Sequence, residues 1–193
     1  MTTENEAPAA ADGEHTTNGT PHGSTSLTPH IVVMPAAAAL EFYRDAFGAT
    51  IVDVTRFPAP DPQEAPDATP PAPQEAPDAT PPADLIAHAV LDLGNGMLTL
   101  SDPLPAYGLV ALDPGAGHPY SLALYVPDVD ALTARAEAAG ATVRERPATF
   151  VSGDRFSSLL DPFGIRWSIM TRVEDLSPAE SARRVADWAS TQG

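Results

Sequence analysis

Residues 30–50 read HIVVMPAAAALEFYRDAFGAT. A short apolar run, His30–Met34, leads to Pro35 at a helix start, and the helix-forming stretch that follows ends at Gly48, placed as a C′ residue. Working outward, Ile51–Arg56 alternates as a strand, Leu85–Leu93 is another, and Gly94-Asn95-Gly96 turns the chain into Met97–Ser101. The same order then returns as strand Tyr120–Val126, a helix from Asp128 to Ala139 closed by Gly140, strands Thr142–Arg146 and Arg155–Leu160, a DPFG turn, and strand Arg166–Thr171. Gly48-Ala49-Thr50 recurs 92 residues later as Gly140-Ala141-Thr142. Thr99 and Ser168 stand 69 residues apart, or 91 once the 22 residues of a tandem repeat in the first half are added. The chain therefore predicts an α+β fold built from one βαβββ unit used twice, over residues 28–101 and 118–172. Ser177-Pro178-Ala179-Glu180 has the form of a capping box and opens a C-terminal helix within residues 174–190, with an apolar stripe of Ala182, Val185, Ala186 and Ala189.

The segments outside this pattern have a different composition. Residues 1–27 hold almost no large apolar side chain, carry four acids and no Arg, and are expected to form a disordered acidic tail. Residues 62–72, PQEAPDATPPA, are repeated letter for letter at 73–83, which predicts an extended Pro-rich insertion over 58–84. The net charge of -16 sits largely in these two segments, and all ten basic residues are Arg. Such a balance argues against nucleic acid and anionic membranes as partners, since phosphate binding needs clustered cations. With 193 residues and 43% hydrophobic content the chain can bury a core. It has no Cys, which excludes disulfides, thiolate metal sites and Cys nucleophiles. No basic leader and no apolar run near ~20 residues is present, so a cytoplasmic location is expected.

The strings TPHIVVMPAAAALEFYRDAFGAT, IAHAVLDLGNG, LYVPDVDALTARAEAAGAT, GDR, DPFGIRWSIM and VEDLSP together resemble the vicinal oxygen chelate superfamily, in its PhnB-like branch beside the glyoxalase and bleomycin-resistance groups. The resemblance implies paired βαβββ modules whose mixed sheets curl around a cavity, completed in many members by a homodimer. It also implies four metal-ligand positions, one on each of four strands, which in this sequence fall on Thr28, Thr99, Ser121 and Ser168. None of these is the His, Gln or Glu that the family's metal enzymes use, and neutral hydroxyls are poor ligands for zinc or nickel. No metal and no cofactor are therefore expected.

Strand parity extends the candidate site. His30 lies two residues from Thr28 and shares its face, and His88 and Asp92 share a face with Thr99 across the Gly94–Gly96 turn. Ser121 brings Tyr125 with it, Ser168 brings Arg166 and Met170, and a four-residue DPFG turn brings Arg155, Ser157 and Leu159 alongside, leaving Trp167 and Ile169 to face the helices. The expected ligand-binding set is thus Thr28, His30, His88, Thr99, Ser121, Tyr125, Arg155 and Ser168. Such a polar pocket suits a carboxylate, phosphate or planar polar ligand. The leading functional expectation is a metal-independent, homodimeric binder of a small organic molecule, a natural product or drug. Two others stand beside it: a lyase, isomerase or dioxygenase with a metal displaced to His30, His88 and Asp92, and an interaction protein that works through the Pro-rich insertion. No phosphate loop and no nucleophile elbow is present, and Asp128-Val129-Asp130 is accounted for as a helix cap.

Overall fold

The computed structural model describes residues 10–57, 84–113 and 117–192. The Pro-rich repeat at 62–83 lies outside the described residues. Before the first module, β1 (Thr16–Thr17) and β2 (Thr20–Pro21) form a small antiparallel hairpin. This departs from the featureless tail expected for 1–27. The cause is the Asn18-Gly19 pair, both at positive φ (48° and 78°), the backbone that a two-residue hairpin turn requires.

The first module runs β3 (His30–Val32), α1 (Ala36–Phe42), β4 (Thr50–Arg56), β5 (Ile86–Asp92) and β6 (Met97–Ser101). The second runs β7 (Leu122–Tyr125), α2 (Val129–Ala138), β8 (Thr142–Thr149), β9 (Asp154–Leu160) and β10 (Arg166–Arg172). Their sheets have the same wiring, β3-β6-β5-β4 and β7-β10-β9-β8, with the first and last strand of each module parallel and the remaining pairs antiparallel. The duplication extends to single hydrogen bonds. Asp102 Oδ1 accepts the first helical N–H of α1 from Ala36 at 2.9 Å, and Thr171 Oγ1, 69 residues on, accepts that of α2 from Val129 at 2.9 Å. Both helices end on left-handed glycines, Gly48 and Gly140, although α1 first passes through a five-residue π-helical turn, Tyr43–Phe47.

Alternation explains how the sheets divide their side chains. In β3 and β6, Ile31, Leu98 and Leu100 enter the core, while in β10 Trp167 and Ile169 do so. The two modules share this core. Tyr43 and Phe47, on the continuation of α1, meet the Trp167 ring edge-on at 5.6 and 4.8 Å, and Phe42 meets Phe163 at 5.9 Å. Buried Asp161 fastens the joint. Its carboxylate accepts from Tyr43 Oη (2.6 Å), Trp167 Nε1 (2.9 Å), Phe163 N (2.9 Å) and Ile165 N (2.8 Å). Burial, the leading influence on both, pushes the Asp161 carboxyl up from the usual carboxylate range and the Tyr43 phenol well above its own.

The C-terminal helix α3 (Pro178–Ser190) starts as expected, with Ser177 Oγ accepting Glu180 N at 3.2 Å. Glu180 does not close the box. Its carboxylate instead takes Arg183 at 2.7 Å and Arg184 at 3.0 Å, which hold its pKa at about 2. None of the apolar stripe is fully buried, and the ring contact of α3 with the domain is Trp188 edge-on to Phe150 at 5.0 Å.

Candidate functional site

Each sheet presents one face to the helices and one face away from them. On the first sheet the inner face carries His30 from β3, His88 and Val90 from β5, and Met97, Thr99 and Ser101 from β6. Thr99 Oγ1 donates to Pro29 O at 3.1 Å, so at its 3.0 Å contact with His30 it is the acceptor and Nδ1 carries the proton. That leaves His30 Nε2 as the acceptor of the Ser101 hydroxyl at 3.2 Å. Both ring nitrogens of His30 are thus engaged by hydroxyls. The His88 ring lies parallel to it, with centroids 6.0 Å apart. Burial, and secondarily the neighbouring His88, lower the His30 pKa, so that the neutral imidazole is the form present at pH 7. Thr28 precedes β3 and turns its hydroxyl to Thr25 (3.0 Å). Asp92 Oδ1 accepts Gly94 N at 2.7 Å and so closes the β5–β6 turn.

On the second sheet the inner face carries Ala123 and Tyr125 from β7, Arg166, Ser168 and Met170 from β10, and Phe156 and Ser158 from β9. Ser168 Oγ donates to Ser121 Oγ at 3.4 Å, and Tyr125 Oη reaches Asp154 at 3.3 Å. Arg155 belongs to the other face. Its Cα lies opposite Thr171, and its guanidinium grips Asp130 on α2 (Nη2 to Oδ1, 2.6 Å), which holds the Asp130 carboxyl below the usual range. Ser157 and Leu159 lie on that helix side as well, and Ser157 Oγ donates to Glu145 O at 2.9 Å. The expected parity fails because the turn is one residue longer than DPFG: Leu160 pairs with Arg166, and Ile165 stays inside the turn, its N–H and C=O both bonded to Asp161. The hydrogen bonds therefore gather the candidates into two clusters, one on each sheet: His30, Thr99 and Ser101, with His88 beside them, and Ser121 with Ser168. Ser158 and Arg166 join the second by register.

The chemistry of these donors does not fit the divalent metal of the family's lyases and dioxygenases. The four positions that the resemblance implies as ligands are hydroxyls, the Nε2 lone pair of His30 is taken, and among the described residues no three His, Asp or Glu side chains come together as a metal-binding group.

Comparison with known proteins places the chain among relatives. The sequence model of the Glyoxalase/Bleomycin resistance protein/Dioxygenase superfamily matches residues 14–169. Uncharacterized proteins of Mycobacterium bovis and Mycobacterium tuberculosis are each 33% identical over 158 residues, covering 80% of this chain and 88% and 79% of theirs. Among solved structures, protein PA1353 of Pseudomonas aeruginosa matches with a TM-score of 0.52 at 23% identity, over 77% of this chain and 98% of that one. A PhnB protein of Bacillus cereus matches with a TM-score of 0.50 at 15% identity, over 76% and 99%. At these identities the structures speak for the fold. Separately, among the described residues no helix is long and apolar enough to cross a membrane.

Proposed function

Because this chain belongs to the Glyoxalase/Bleomycin resistance protein/Dioxygenase superfamily, we propose that it is a metal-independent protein that binds a small organic molecule, a natural product or drug, on the inner faces of its sheets. The observation that carries this reading is His30, whose two ring nitrogens are both engaged by hydroxyls on a face where a metal enzyme needs free imidazole and carboxylate. What remains there is a set of neutral hydrogen-bonding groups, Thr99, Ser121, Ser168 and Tyr125, between apolar side chains, which is the composition of a small-molecule site. His30, His88 and Tyr125 are exposed in the single chain, which supports a homodimer in which a second copy covers these faces. The charge of -16 disfavours nucleic acid as a partner, and the lack of Cys fits the cytoplasm.

Two measurements test this reading. Elemental analysis of protein purified without chelator should find far less than one equivalent of Zn, Ni, Fe or Mn; stoichiometric metal that disappears in His30→Ala would overturn the proposal in favour of an enzyme. A thermal-shift screen of natural products and small aromatic acids should give hits that are lost in Ser168→Trp, a variant that fills the inner face while the core behind Trp167 stays unchanged. Hits that bind both proteins equally would remove Ser168 from the site.

A further inference from the structure

Where β8 turns into β9, the inner face of the second sheet carries a cavity of about 340 Å³, within the ~300–1,000 Å³ of small-molecule sites. Phe156 and Met170, opposite each other on β9 and β10, and Phe150 in the turn give it apolar walls. Glu145 and Asp154 bring two acidic side chains to it, and no basic residue is among the described residues that line it. The two acids differ in what they have to spare. Asp154 is occupied: Oδ1 takes Arg172 Nε at 3.0 Å and Tyr125 Oη at 3.3 Å, and Oδ2 takes Ser152 Oγ at 3.0 Å. The Glu145 carboxylate accepts no hydrogen bond among the described residues. Its ion-pair partner, Arg166 Nη2, stands 3.6 Å away, beyond hydrogen-bond range, and the Glu145 side chain remains more than half exposed.

The duplication sets this cavity apart from its counterpart. In the first module Asp53 stands opposite Val90 as Glu145 stands opposite Ser158, so the acid is common to both. The surface beside it is not. Phe156 and Met170 lie two residues from Ser158 and Ser168, and the residues two from Val90 and Thr99 are His88 and Ser101. Asp53 also takes the Thr55 hydroxyl at 3.3 Å, whereas Glu145 takes none. An acid with vacant acceptor positions beside an apolar wall is thus a property of the second module alone.

We propose that this cavity takes a small organic cation, a protonated amine whose N–H groups reach the Glu145 carboxylate and whose apolar body lies against Phe150, Phe156 and Met170. An ammonium has three donors and no acceptor, which complements a carboxylate without partners, and apolar walls limit the water that would screen the pair. An organic anion would meet the Glu145 charge with no cation in the lining to offset it. A metal cation such as Ca²⁺ is poorly served as well, because it needs six to eight oxygen ligands and Asp154 is already committed to Arg172, Tyr125 and Ser152.

The inference rests on the small-molecule function proposed above and names its ligand class. The test is a titration of the full chain at constant ionic strength with benzylammonium, its neutral isostere benzyl alcohol, benzoate and Ca²⁺. The methyl resonances of the four methionines are followed by NMR, with Met170 assigned by its loss in Met170→Leu. Benzylammonium should shift the Met170 methyl saturably, benzyl alcohol should bind about fivefold more weakly, and benzoate should leave the methyl unmoved. Glu145→Gln should weaken benzylammonium about fivefold, as expected for a half-exposed ion pair, and leave benzyl alcohol unchanged. Because that side chain is exposed and accepts no hydrogen bond, the variant should fold as wild type does. Phe156→His, which copies His88, should weaken both compounds about threefold at pH 8, where the imidazole is neutral. Equal affinity for benzylammonium and benzyl alcohol, displacement of benzylammonium by Ca²⁺, or undiminished benzylammonium binding by Glu145→Gln each overturn the cation site. If benzylammonium leaves Met170 unmoved while compounds from the thermal-shift screen bind wild type and Glu145→Gln alike, the cation site fails and the binding function stands. A screen without hits, together with an unmoved Met170, overturns both.

Discussion

Replacing Asp161 by Ala tests the joint between the modules. The carboxylate accepts from four donors, and three of them, Tyr43 Oη, Trp167 Nε1 and Ile165 N, belong to residues no more than 1% exposed. Each buried donor left without a partner costs about 1–3 kcal/mol, so the gross loss is about 3–9 kcal/mol. An opposing effect reduces it. Burial raises the Asp161 pKa above its ordinary 3.8, so the folded protein holds this charge at a cost that Ala removes. The net destabilisation should be about 3–5 kcal/mol, a large part of the roughly 5–15 kcal/mol that holds a domain together. Asp161→Asn should lose about 1–3 kcal/mol, because it keeps one carbonyl acceptor and lets the Tyr43 hydroxyl reverse its bond, whereas the Trp167 N–H can only donate. The pH dependence has a definite sign. A carboxyl with a raised folded pKa contributes stability that is full below 3.8 and declines as pH rises through the folded value, so the gap between wild type and Ala should narrow toward neutral pH. Urea unfolding followed by tryptophan fluorescence, at pH 7 and at pH near 4, measures these differences. A loss below about 1 kcal/mol for Asp161→Ala at unchanged m would refute the clasp.

Other substitutions probe the two faces of the sheets. Since burial and His88 lower the His30 pKa, the unfolded chain takes up a proton near 6.5 before the folded one does, and wild type should lose stability as pH falls below that value. His30→Asn should flatten this acid limb; an unchanged slope would mean that His30 is not the group responsible. Arg155→Gln should leave the thermal-shift hits unchanged, because the side chain pairs with Asp130 on the helix side; loss of binding would return Arg155 to the site.

The element order, the duplication, and the division of β3, β5, β6 and β10 into core and inner faces were legible in the sequence, because alternation and turn residues specify them locally. His88 shares the face of Thr99, as period-2 counting across the Gly94–Gly96 turn predicts, and His30, placed by its two-residue spacing from Thr28, lies beside both. The count failed at Arg155 because it took DPFG as the whole turn, and one added residue, Ile165, inverts every assignment on β9. Asp161 as a clasp was not legible at all, since its phenol donor lies 118 residues away in the chain and only packing brings them together. The Asn18-Gly19 hairpin has a signal in the sequence, a turn dipeptide within a polar tail.

The seam of Phe42, Tyr43 and Phe47 against Phe163 and Trp167 makes the two halves mutually dependent in folding. Cut between residues 102 and 121, the chain would yield one fragment whose aromatic helix end has lost its floor and another whose Trp167 has lost its cover. Neither surface is small enough to stay in water alone, although each half has the complete wiring of a sheet. The duplicated unit is therefore a repeat of topology whose stability is expected to be joint, and the molecule should melt as one cooperative body, with the pair of modules as its smallest foldable piece.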